Sequence, residues 1–121
     1  MRDFASFALD FSAWVEEIRP ALSRPIPSEA PLLTQEMSDL EPLRFQGAEM
    51  AAWAVSYYYE AKHLGMKRLM QDGFPKSSLG EAAKAQSFAE LHCRDLAERV
   101  YDTIGNRSFK VAQLLKRLEP K

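Results

Sequence analysis

The 121 residues contain one cysteine, Cys93, and two histidines. A lone thiol excludes an intrachain disulfide and any zinc site built on a cysteine cluster, and it fits a reducing compartment. No uninterrupted apolar stretch approaches the roughly 20 residues that a bilayer-spanning helix needs. Met1-Arg2-Asp3 does not open a secretory signal, so a cytoplasmic protein with no membrane attachment is expected. The phosphate loop G-x-x-x-x-G-K-[ST], the dinucleotide motif G-x-G-x-x-G and the zincin H-E-x-x-H are all absent. Glu60 and His63 have the Glu-x-x-His spacing of di-metal bundles, but such a centre needs a second copy and two further carboxylates. His92, near Glu90 and Cys93, reads as an ordinary polar group beside a small buried thiol. No metal, no cofactor and no enzymatic activity are expected.

What is present is the composition of a soluble domain, with 46% hydrophobic and 27% charged residues. The length suits a single domain over 1–121. The net charge of −1 conceals an imbalance. Residues 1–60 hold 4 Lys and Arg against 10 Asp and Glu, a net of −6, whereas residues 61–121 hold 12 against 7, a net of +5. The tail is the most basic part, with Arg107, Lys110, Lys116, Arg117 and Lys121 against Glu119. Such an end suits phosphates; the alternative is that the acidic and basic halves pack on one another within a chain or between subunits.

Apolar residues at steps of three and four mark the helices. Phe4, Phe7, Phe11, Trp14 and Ile18 place an N-terminal helix over 1–19, with Asp3 as N-cap and Pro20 as its stop. Four of the seven prolines fall between Arg19 and Leu33, which predicts an extended proline-rich linker over 20–33. Residues 34–121 read as a long antiparallel helical hairpin with a C-terminal helical extension. Its first arm starts near Thr34 or at a Ser38/Glu41 capping box and follows the seam Leu43, Gly47, Met50, Ala54, Tyr57, Ala61 and Leu64 to about Asp72. That arm is about 50 Å long at 1.5 Å per residue, which requires neighbours along it. Asp72-Gly73-Phe74-Pro75 breaks the chain. A second capping box, Ser78 with Glu81, opens the return arm, and Gly105-Asn106 either breaks it or lies within one continuous helix. The expected fold class is all-α.

Around Tyr57-Tyr58-Tyr59, cations follow at Lys62, Lys67 and Arg68. Positions three and four apart share a helix face, so Tyr58 lies near Lys62, and Tyr59 near Lys62 and His63. Rings that stack on unpaired bases, with Lys and Arg on the backbone, are the means of sequence-independent single-strand binding. The competing reading is core packing, which the seam positions of Trp53 and Tyr57 favour for those two. Tyr58 and Tyr59 are the better stacking candidates.

Cys93-Arg94-Asp95-Leu96, Tyr101-Asp102-Thr103-Ile104, Arg107-Ser108-Phe109-Lys110-Val111 and the closing Leu115 to Lys121 together resemble the C-terminal helix of the phage UvsY-type recombination mediators. Tyr57-Tyr58-Tyr59-Glu60-Ala61-Lys62, followed by the turn at Gly73, sits where that family has a long helix leading into a loop. The resemblance covers about half the chain and leaves the acidic N-terminal half unmatched. It implies a homo-oligomer that binds single-stranded DNA and helps load a recombinase onto strands covered by single-strand binding protein. The binding residues expected are Lys62, Lys67, Arg68, Arg107, Lys110, Lys116 and Arg117 on phosphates, with Tyr58, Tyr59 and Phe109 stacking or packing. The alternative function is a protein-binding helical module, an inhibitor or small subunit of a nucleoprotein complex, that docks through its acidic half and aromatic stripe.

Overall fold

A computed structural model describes residues 2–119. It is all-α: α1 Phe4–Ser23, α2 Ala30–Gln71, a 3-10 turn Lys76–Ser78, α3 Leu79–Gln86 and α4 Phe88–Leu118, with no strand among the described residues. No helix is long and apolar enough to cross a membrane. Lys121, counted with the basic tail, lies outside the described residues.

The helix ends differ from expectation for local reasons. The carboxylate of Asp3 caps α1 by accepting the Ser6 amide at 2.8 Å. Pro20 does not stop α1 but sits within it, where only a donor to the Glu16 carbonyl is lost. The helix ends at Arg24, whose ψ of 153° is the extended backbone that the following Pro25 imposes. The proline linker is therefore shorter than expected, Arg24 to Glu29, because Pro31 occupies the first turn of α2, where a missing amide donor is harmless. The Ser38/Glu41 pair lies inside α2 and caps nothing, and Pro42 is interior as well.

At the far end, the break after Asp72 is a Schellman motif: the Phe74 amide donates to the Leu69 carbonyl and the Gly73 amide to Met70, with Gly73 at φ +80°. The expected return helix is split. α3 ends at Ser87, whose amide donates to the Ala83 and Lys84 carbonyls and whose hydroxyl donates to Ala83. Ser78 makes no side-chain cap, and Gly105-Asn106 lies within an unbroken α4.

α2 is about 63 Å long and α4 about 46 Å, at 1.5 Å per residue. Glu36 meets Arg107, Gly47 approaches Ile104, Tyr58 meets Arg94 and Gly65 approaches Ala83. Partner numbers fall as α2 numbers rise, so α4 and α3 run back along α2. A Cβ on Gly47 would stand 3.2 Å from Ile104 Cδ1, and its absence lets the helices close there. α1 lies on one side of this pair within its own chain. Its Phe7 ring packs 5.1 Å from Tyr57, and Trp14 Nε1 donates to Gln46 at 2.9 Å. Phe7, Phe11, Trp14 and Ile18 join Leu33, Leu40, Ala54, Ile104 and Val111 in one core, and Leu69, Leu79 and Ala83 form a smaller one at the turn end.

Candidate nucleic-acid and partner surfaces

α4 carries Ile104, Arg107 and Val111 at steps of three and four, so all three point inward. Arg107 is 8% exposed. Its Nε donates to Glu36, itself 3% exposed, and its Nη1 donates to the Leu22 and Arg24 carbonyls at the end of α1. Arg24 Nη2 lies 2.6 Å from the other Glu36 oxygen. The Arg107 Nη2 has no hydrogen-bond partner among the described residues but is buried as well, so the guanidinium is not presented to a phosphate at the surface, which corrects the role expected of Arg107. The helix rotation that buries Arg107 turns Phe109, 64% exposed, and Lys110 outward. Lys116 and Arg117 stand exposed in the last turn, where cations also complement the helix dipole.

The aromatic run on α2 divides in the same way. Tyr57 packs under α1 and donates its hydroxyl proton to the Arg2 carbonyl. Tyr58 is 3% exposed, covered by the Arg94 guanidinium 4.6 Å from its ring centre, so it cannot stack on a base. Tyr59 is 58% exposed and beside Tyr58, with ring centres 5.4 Å apart. Lys62 is half-buried, and Lys67 and Arg68 are exposed. At about 100° per residue, Lys62 shares a side of α2 with Tyr59, while Lys67 and Arg68 point elsewhere. None of Lys62, Lys67, Arg68, Lys110, Lys116 and Arg117 is in an ion pair among the described residues.

These candidates do not converge within one chain. By the register of Gly47 with Ile104 and Tyr58 with Arg94, the cations of 110–117 and those of 62–68 lie roughly 40 Å apart along the rod, from a rise of 1.5 Å per residue. Glu60 and His63 have no third His, Cys, Asp or Glu close enough to hold a metal with them among the described residues. Cys93 is buried, and desolvation, with Glu90 adding to it, pushes its thiol above the ordinary range.

One surface escaped the sequence reading. On the side of α2 and α4 away from α1, a cleft of about 440 Å³ is lined by Met37, Phe45, Ala48, Tyr101 and Ser108, with Glu41 and Arg44 beside them. Phe45 is 72% exposed. The available signal was its register, two residues after Leu43 and two before Gly47, which takes a large ring off the apolar seam. No family model, no curated protein and no solved structure matches the chain.

Proposed function

We propose that the chain is a non-enzymatic, self-associating helical protein that binds single-stranded nucleic acid, with a recombinase or a single-strand binding protein as its protein partner. The observation that carries this is an exposed ring beside a cation that is in no ion pair among the described residues, at two places: Tyr59 with the half-buried Lys62, and Phe109 with the exposed Lys110. At the same places the neighbouring Tyr58 and Arg107 are consumed internally. Exposed rings stack on unpaired bases without regard to sequence, and free Lys and Arg neutralise the phosphates between them. The resemblance of the C-terminal half to the UvsY-type mediators points to the same class of ligand. The working set is Tyr59, Lys62, Lys67, Arg68, Phe109, Lys110, Lys116 and Arg117.

The test is fluorescence anisotropy of a labelled single-stranded oligonucleotide over a salt series. Binding at low salt that weakens steeply with added salt is expected, and no binding at low salt overturns the reading. A second reading, a module that docks on another protein, is favoured by the cleft at Phe45. It predicts capture of a protein partner together with indifference to free oligonucleotide.

A further inference from the structure

Three features mark the cleft between α2 and α4 as half of an interface. Phe45 projects from its edge, 72% exposed, so the surface carries both a knob and a hollow able to take one. Ser108 lines the hollow, and its hydroxyl, 5% exposed as a residue, has no hydrogen-bond partner among the described residues. Glu41 and Arg44 stand one turn apart along the same edge, and neither belongs to an ion pair among the described residues. An acid and a base so spaced complement their own image: when two α2 helices cross antiparallel about an axis between residues 42 and 43, each Glu41 faces an Arg44. Isologous two-fold contacts require this self-complementarity.

We propose that the cleft is the interface between two antiparallel copies of this chain, in which Phe45 of each copy enters the hollow of the other and Glu41 meets the partner's Arg44. The inference rests on the reading of the chain as a self-associating nucleic-acid binder, and it supplies what a single copy lacks. On the register set by Gly47 with Ile104 and Tyr58 with Arg94, the same axis brings the partner's Lys116 and Arg117 to within about 15 Å of Tyr59 along the rod, at 1.5 Å per residue. Cation and ring groups that are far apart on one chain thus become neighbours at each end of the dimer, and the ligand this composite site fits is a single strand laid across the junction.

The test uses charge reversal at two exposed positions, with circular dichroism to verify folding and sedimentation equilibrium to read assembly. The native chain is expected to be a dimer. Glu41→Arg and Arg44→Glu each set like charges opposite one another and are expected to raise the dimer dissociation constant at least tenfold. In an equimolar mixture of the two variants, a chain with arginine at both positions meets a chain with glutamate at both, and the mixture is expected to dimerise again. A native monomer, or a mixture no better than its separate components, overturns the interface. A dimer that behaves as described yet binds no oligonucleotide keeps the interface and removes the nucleic-acid reading. Oligonucleotide affinity that is unchanged when the separate variants dissociate overturns the composite site.

Discussion

Glu36 and Arg107 show what a buried charge requires. Each is desolvated, and Arg107 gains compensation only because a carboxylate 71 residues away and two carbonyls reach it. Removing one member of a buried pair strands the other, at about 3–5 kcal/mol. Arg107→Ala is expected at the lower end, about 3 kcal/mol in urea unfolding, because Arg24 still neutralises Glu36. Glu36→Leu with Arg107→Met is expected to recover most of that loss, since an apolar pair of similar volume avoids the desolvation. At the chain's other end, the hydrogen bond from the Ser6 backbone amide holds the Asp3 carboxyl below its usual range, and the Ser6 side chain lowers it further. A folded-state value below the unfolded one stabilises α1 above about pH 4 and loses that contribution as pH falls through the folded value. Thermal melts of Asp3→Ala are therefore expected to lie below the native chain at about pH 7 and to converge with it at about pH 2.

The helices were legible because apolar residues at steps of three and four mark each of them, and because Gly73 with Pro75 punctuates the chain between α2 and α3. Their ends were less legible. Pro20 and Pro31 read as breakers, yet each lies within a helix, Pro20 because only one donor is lost there and Pro31 because the first turn has no donor to lose. The return arm read as starting at one capping box, yet it is divided at Ser87 into α3 and α4. The glycines make a contrasting pair. Gly73 holds φ +80°, so Gly73→Ala is expected to destabilise by about 1 kcal/mol. Gly105 sits within α4 and a Cβ there meets nothing within 4 Å, so Gly105→Ala is expected to stabilise by up to about 1 kcal/mol. Urea unfolding of the two variants checks both signs.

For the molecule as a whole, the opposite charges of the two halves meet inside one chain where Arg107 of the basic half pairs with Glu36 of the acidic half. Of the cations expected on phosphates, Lys62, Lys67, Arg68, Lys110, Lys116 and Arg117 are in no ion pair among the described residues. Neutralisation of six phosphates on a single strand corresponds to a slope of about −4 in log K against log salt. Lys110→Ala is expected to reduce that slope by about 0.7, read by anisotropy across a salt series. A slope left unchanged by that substitution takes the strand away from this end of α4. The local pattern determined where this chain is helical, where it turns and which stripes are apolar, because those preferences act over one or two turns. Only the tertiary structure decided that Arg107 belongs to the core, that Tyr58 is covered and that Phe45 is not. The burial of a charge or a ring depends on which distant side chain the packing brings to meet it.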